Sequence, residues 1–427
     1  MYKGKKLLAM LLMFALVFTL LPPVSLPALE KNTALCTPDC CDLDGEFICE
    51  HCDEDGGIIC EFCDEEDGII CEHEDCVSGE ECSHEKSGGS KTGAGMMSRI
   101  FDENENVRVK ETDQLFATLS EAIAETKKLG DTAFTLEVVG DVTETSHIYI
   151  ESDVTIVGAE GNHTVTLVKC SIYVQNGGSI TLGDGTDENN LTILGFIQVT
   201  DSTLYVNDGI TLKHDTINGY ALELTGPAAR GAISGGIIEG YAAFKLAKGA
   251  QMSEISGGQF IGRESSVFAD GVTTRIEKIT GGTFMKTDNT ILRANFYLDH
   301  GATIGELSGG YFEACSSAAI YLIRGGWINK ITGGEFVLLS NASLHLGDFQ
   351  GVFVVYGDNK KSGVGTISDI YIHGGYYGLI LITPGSQIDA ITGGRFEGAR
   401  ALHNDVDCTI GSISGGTFTG SVYGIFN

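Results

Sequence analysis

Apolar side chains return along this chain in a repeating six-residue frame. The frame is an Ile or Leu, then Ser or Thr, a Gly pair, a variable position, and an aromatic or branched apolar residue. It reads Ile279-Thr280-Gly281-Gly282-Thr283-Phe284 and starts again at Ile233, Ile255, Leu307, Ile331, Ile372, Ile391 and Ile413. The steps between copies are 22, 24, 28, 24, 41, 19 and 22 residues, which is the signature of a solenoid. In six copies a further apolar residue stands three before the frame: Met252, Ile276, Ile304, Ile328, Ile388 and Ile410. The variable position holds Ile237, Gln259, Thr283, Tyr311, Glu335, Tyr376, Arg395 and Thr417, so it faces water while the anchors face inward. The Gly pair marks a corner where the backbone turns sharply or packs closely.

A turn of this length is too short for a pair of helices and suits one coil of a parallel β-helix. Coils would stack about 4.8 Å apart. Each buried Ile or Phe would add about 1.5–3 kcal/mol of transfer free energy. The Ser/Thr column is expected to form a hydroxyl ladder along one corner. Before the frames begin, short alternating runs over 134–139, 148–150, 154–157, 165–168, 172–174, 180–182, 191–194, 197–199, 204–206 and 210–212 read as strands of earlier coils. At this spacing 134–427 would make about thirteen coils. One helix is predicted, over 118–129. Thr118 with Glu121 forms a capping box, Leu119 and Ile123 share a face, and Gly130 ends it. Such a helix would cover the open end of the stack.

The region ahead of this helix differs in kind. Residues 1–28 read as a secretory signal: Lys3, Lys5 and Lys6 precede an apolar run over 7–21, broken by Pro22 and Pro23. The run is short for a membrane span, and no other stretch is long enough for one. Residues 29–85 form an acidic Cys-rich module. Within 36–85 lie ten of the 13 cysteines and 19 acidic residues with no Lys or Arg, against a net charge of −31 for the 427-residue chain. An 11-residue repeat runs through it: Ile48-Cys49-Glu50-His51-Cys52 is echoed by Ile59-Cys60-Glu61-Phe62-Cys63. The Cys49/Cys52 and Cys60/Cys63 pairs have the bite of a tetrahedral zinc site. Secretion and an even cysteine count point instead to disulfides. The Asp42-to-Gly45 turn resembles the opening of a calcium loop without its later ligands, so Zn and Ca are the metals to be tested and no cofactor is otherwise expected. Residues 86–112, with Ser87-Gly88-Gly89-Ser90 and no apolar period, read as a flexible linker to the β-helix of 113–427.

Leu119-Ser120-Glu121-Ala122-Ile123, then Gly130-Asp131, then Leu136-Glu137-Val138-Val139-Gly140-Asp141-Val142-Thr143 resembles the opening of secreted bacterial right-handed, single-stranded parallel β-helix proteins of the pectin-lyase-like superfamily. Gly177-Gly178-Ser179-Ile180-Thr181-Leu182-Gly183-Asp184-Gly185 is similar to a phrase of secreted Gram-positive β-helix proteins. The resemblance implies an all-β rod with an N-terminal capping helix over 113–427. It implies no single activity, since that fold carries polysaccharide lyases, glycoside hydrolases, adhesins and stalks.

The lyases and hydrolases of that superfamily cluster acids and bases on adjacent coils. Here Asp-Asp pairs and the Gly-His-Gly phrase are missing. His373 sits in the Ser/Thr column of its frame, and Arg275-Ile276-Glu277-Lys278 is solenoid geometry. Asp405 and Asp407, near His403, are the best acid pair, on one strand face or in a solvated loop. No catalytic residue is assigned. The 41-residue step is either two coils or one coil with an excursion around 357–363. Its neighbourhood is rich in rings, and Trp327, Tyr356 and Tyr376 are the candidate ligand surface. Cys170, Cys315 and Cys408 read as small buried apolar residues. The acidic balance argues against nucleic acid or an anionic membrane as partner. The expectation is a non-catalytic, secreted or cell-surface scaffold, adhesin-like, for an extracellular glycan or a host or cell-surface component. A polysaccharide lyase or glycoside hydrolase is the alternative, and a metal-binding head the third reading.

Overall fold

The computed structural model describes residues 105–427, apart from 131–132, 187–188, 215, 218, 290–293 and 340–350. The leader, the module with Cys49, Cys52, Cys60 and Cys63, and residues 86–104 lie outside the described residues. The chain divides at residue 95, and the described residues all belong to the second unit, 96–427.

The second unit is a parallel β-solenoid. Its first face is a 14-stranded sheet; the last twelve strands, from Phe134–Val138 to Thr409–Ile413, each pair in parallel with the next. They bound about 11 turns, fewer than the thirteen expected from length. The difference lies in long connections: the register steps from Ile279 to Leu307 and from Ile331 to Ile367 each complete one turn. After the Gly corner the chain enters a second face, for example Thr283–Lys286, and then a third, for example Phe296–Asp299. Elsewhere one long strand, such as Ile237–Ala247 or Gln259–Asp270, runs through both.

The inward columns are those the pattern marks. Ile276, Ile279, Phe284, Phe296 and Leu298 of one coil are all fully buried. Ile276 and Ile279 are three residues apart, and strict alternation would turn one of them outward. A stacked bulge resolves this. Met252 pairs with Ile276 and Glu254 with Lys278, so Ser253 and Glu277 fall out of the ladder, as do Gly305 and Asn329 above them. The frame's last residue builds a file of rings. Phe260, Phe284, Phe312 and Phe336 lie 4.8, 4.5 and 4.7 Å apart, nearly parallel.

The Gly pair has two separate causes. A Cβ on the first Gly would meet the carbonyl oxygen of the coil below, 2.1 Å away for Gly257 and Ser234, 2.2 Å for Gly309 and Thr280, 2.0 Å for Gly393 and Ser368. The second Gly takes the left-handed backbone, with φ from +77° at Gly236 to +109° at Gly334. Its carbonyl then accepts the next coil's variable-position N–H, as from Thr283 to Gly258 at 2.9 Å. The sixth pair is out of file. Ile331 pairs with Ile367 and Phe336 with Ile372, so the frame of this coil is Ile367-Ser368-Asp369-Ile370-Tyr371-Ile372. Gly374 lies past it, beside Leu338. Ile372 thus fills the ring column, and Tyr371, not Tyr376, holds the variable position. The extra residues of the 41-residue step fall between Leu338 and Gly351, not around 357–363, which is an ordinary turn.

The expected hydroxyl ladder is replaced by bonds to the backbone and to carboxylates. Ser368 and Thr392 donate to the carbonyls of Ile331 and Ile367 at 3.3 and 3.2 Å, and Thr280 donates to Glu254 at 2.8 Å. At the N-terminal end the helix Leu119–Thr126 buries Leu119, Ala122 and Ile123. Thr118 accepts the Glu121 N–H, and the Glu121 carboxylate reaches back one residue past the cap to accept the Ala117 N–H, a variant of the expected box. Residues 107–109, read from sequence as the tail of a linker, instead form a strand. Val107–Val109 pairs antiparallel with both Gln114–Phe116 and Phe134–Val138, covering the first edge.

One buried cation lies at the corner between the second and third faces. Lys286 is 2% exposed, and its Nζ donates to the Ser316 hydroxyl at 2.6 Å and to the Asp288 carbonyl. Burial pushes this amine below its ordinary value, opposed by the charges of Cys315, Asp288 and Glu264. A base depressed in the folded state leaves the unfolded chain holding more protons, so stability rises with pH through the interval between the two values. Wild type should therefore gain stability as pH climbs toward the ordinary lysine range, and Lys286→Met should flatten that rise. Urea unfolding at stepped alkaline pH, taken as the difference between the two proteins, measures it; parallel profiles would refute the assignment.

Candidate functional site

The second face carries the densest chemistry on the outer surface. Its variable column runs Ile237, Gln259, Thr283, Tyr311, Glu335, Tyr371, Arg395 and Thr417 in unbroken register. Two residues on, still outward, stand Glu313, Val337 and His373, with Glu397 in the following coil. The Phe and Ile anchors between them point inward, so alternation alone projects both columns outward.

From Tyr311 to Glu397 the strip is bonded to itself. The Tyr311 hydroxyl donates to Glu313 at 2.7 Å, and His373 Nε2 lies 2.8 Å from Glu335. The Tyr371 hydroxyl donates to Glu397 at 3.3 Å, and Arg395 Nε donates to the same carboxylate at 2.5 Å. The Tyr371 ring stacks on His373 at 4.4 Å, with the Arg395 guanidinium 4.8 Å from its centroid. Burial, then the Glu313 hydrogen bond and the charges of Glu313 and Glu335, push the Tyr311 phenol up to about 12. Burial and the Glu397 charge raise Tyr371 as well. Both phenols therefore stay protonated and act as donors at neutral pH. The three glutamates each have a donor from the strip itself. The surface offers the Tyr311 ring and, two coils on, a Tyr371–His373–Arg395 stack, each flanked by donor and acceptor edges.

The rings singled out by sequence are not brought together. Trp327 begins a strand of the first face, with Lys361 Nζ 4.4 Å from its ring centroid. Tyr356 ends a strand of the third face and stacks on Tyr321 at 6.3 Å. It joins an outer apolar cluster that includes Tyr321, Val354 and Ile380, apart from the core. Tyr376 is 42% exposed at the corner between the second and third faces, packed edge-on against Tyr377 at 4.9 Å. His373 is an outward residue of the second face rather than a corner hydroxyl's substitute. Asp405 and Asp407 lie exposed in a turn, not on a strand face, and Asp405 accepts the Val406 N–H at 2.9 Å. His403 is pointed at the Tyr423 hydroxyl, 2.9 Å away, and burial holds its pKa below the usual histidine value.

A cluster that sequence reasoning missed joins Asp270, Asp299 and His300, whose ligand atoms lie within 4.8 Å of one another. Asp270 and Asp299 are ladder partners in adjacent coils, so only the register could have paired them. Asp299 is 2% exposed and already takes two guanidinium bonds from Arg324. The arginine supplies the positive charge, and the cluster is an ion-pair network locking one corner. Cys170, Cys315 and Cys408 are free thiols; Cys170 is buried and donates to the Glu144 carbonyl at 3.2 Å, while Cys315 and Cys408 are partly exposed.

No family model, no curated protein and no solved structure matches this chain. The fold agrees with the expected β-helix, and no family, pectin-lyase-like or other, is shown for it. Among the described residues, no helix is long and apolar enough to cross a membrane.

Proposed function

We propose that this protein is a secreted, non-catalytic β-helix scaffold whose second face binds an extracellular glycan. The observation that carries the reading is the strip from Tyr311 to Glu397. Ring faces suit the C–H faces of sugars, and the phenols, imidazole and carboxylates beside them suit hydroxyl groups. Rigid strands hold these groups at the coil spacing, so little side-chain order has to be imposed on binding. The leader read from 1–28 supports the extracellular setting. A second reading, a polysaccharide-cleaving enzyme, is favoured by Glu313, Glu335 and Glu397 standing on one sheet. The internal bonding of each carboxylate favours binding over acid–base work.

The test is binding of the full secreted chain to an array of polysaccharides, with release of reducing or unsaturated sugar ends followed in parallel. Tyr371→Ala should weaken binding about tenfold, the value of one well-placed ring. Turnover by wild type that disappears in Glu335→Gln would replace the scaffold with an enzyme. Binding that ignores Tyr311→Ala and Tyr371→Ala alike would remove the strip from consideration.

A further inference from the structure

One arginine of the solenoid is treated unlike the others. Among the described residues, five arginines end on a carboxylate, Arg108 on Glu137, Arg263 on Asp288, Arg275 on Glu277, Arg324 on Asp299 and Arg395 on Glu397, and Arg230 ends on the Pro227 and Ala229 carbonyls, while Arg400 ends on rings. Arg400 pairs with no carboxylate among the described residues. Its guanidinium carbon lies 5.0 Å from the Tyr376 ring centroid, 5.3 Å from that of Tyr377 and 5.0 Å from that of Tyr423. Nη1 donates to the Tyr377 hydroxyl at 2.9 Å. Nε is buried without an acceptor, as are those of Arg108 and Arg275, and among the described residues Nη2 has no acceptor. In a chain of net charge −31, this guanidinium forms no ion pair among the described residues and is held by rings instead.

Three rings attract a cation through their faces but bring no counter-charge. They also displace water from its flanks, which strengthens whatever ion pair forms at the open edge. A guanidinium edge fits the two oxygens of a carboxylate or sulfate better than any other group. The cage continues the binding strip: Arg400 follows Arg395 on one strand, and Tyr376 follows Tyr371 across the corner. Tyr376, 42% exposed, leaves ring surface beside the cation for the body of a ligand.

We propose that Arg400, caged by Tyr376, Tyr377 and Tyr423, is an oxyanion subsite that reads a carboxylate or sulfate substituent on the bound glycan. The assignment rests on the glycan reading for its ligand and on the cage alone for its anion. Arg400 acts as a binding residue, with the three tyrosines positioning it.

The experiment compares wild type, Arg400→Gln and Arg400→Lys for binding to a polyuronate, a sulfated glycan and a neutral glucan at two salt concentrations. The expected result is that wild type prefers an anionic chain by tenfold or more. Arg400→Gln should lose that preference, Arg400→Lys should keep part of it, and added salt should weaken the anionic arm more than the neutral one. Whichever anionic chain wins identifies the oxyanion as carboxylate or sulfate. Equal binding of charged and neutral chains, or a preference that survives Arg400→Gln, overturns the subsite and leaves the glycan reading intact. If no glycan binds, the glycan reading falls. Titration with sulfate and with acetate, followed at the arginine Nε–H resonances, then decides the subsite alone. A saturable shift present in wild type and missing in Arg400→Gln upholds it, and no shift refutes it.

Discussion

Gly309→Ala should cost the solenoid about 3 kcal/mol, because the new methyl group has nowhere to go. Its Cβ would lie 2.2 Å from the Thr280 carbonyl oxygen and 3.0 Å from the carbonyl carbon. Both are backbone atoms. The coils on either side are pinned by the Ser308 N–H to the Ile279 carbonyl at 2.8 Å and the Tyr311 N–H to the Gly282 carbonyl at 2.9 Å. Relief would require parting ladder bonds rather than turning a side chain. The control is Gly177→Ala, at φ +80° with nothing within 4 Å, which carries only the backbone cost of about 1–2 kcal/mol. Urea midpoints of the two variants measure the difference. If Gly309→Ala were no worse than Gly177→Ala, close stacking of coils would not be the reason for the first glycine.

Phe312→Ala should be as damaging, by about 3–5 kcal/mol. The ring is fully buried, 4.5 Å from Phe284 and 4.7 Å from Phe336 with interplanar angles of 7°, and 5.7 Å from Phe296. Removing it opens a cavity in a file whose members cannot close up, since the strand ladder sets their spacing. Phe312→Ile should cost less, about 1–2 kcal/mol, because Ile238 and Ile372 already fill the same column and are buried there. Phe418→Ala should also be milder, since that ring is only partly buried. Unfolding followed by near-ultraviolet dichroism reports both the stability and the loss of stacked rings. A Phe312→Ala midpoint close to wild type would mean that the file does not bear on stability.

The coil itself was legible because burial imposes a simple rule. Residues such as Ile255, Ile279, Leu307 and Ile331 occupy one column and are all inside, so they share a chemistry that repeats along the chain. The capping helix was legible for a local reason: its box is made by residues three apart. The frame at Ile372 misled because Gly374 and Gly375 copy the motif while standing one strand too late. The pair at Asp369 and Ile370 closes that corner without glycine, and no local feature says so. The pattern marks Ile276 and Ile279 as anchors, yet the bulge that lets both point inward belongs to two coils at once.

The candidate site was less legible. Trp327, Tyr356 and Tyr376 are near one another in sequence, but the register spreads them over the first face, the third face and a corner. The strip that replaces them joins Tyr311 to Glu397 through residues far apart in the chain, such as His373 with Glu335, 38 positions away. The Arg400 cage likewise needs Tyr423, 23 positions away, brought over by the last coil.

By itself, the sequence determined that this chain winds into stacked coils, which columns are inside, where most corners lie and what covers the first end. Those features come from the side-chain period and from glycine's freedom, which act within one turn. Only the tertiary structure decided which residues are neighbours across turns. A long connection can be looped out between any two strands without disturbing the ladder, so the register beyond it, and every pair of outward groups that the register makes, is set by stacking and not by local pattern.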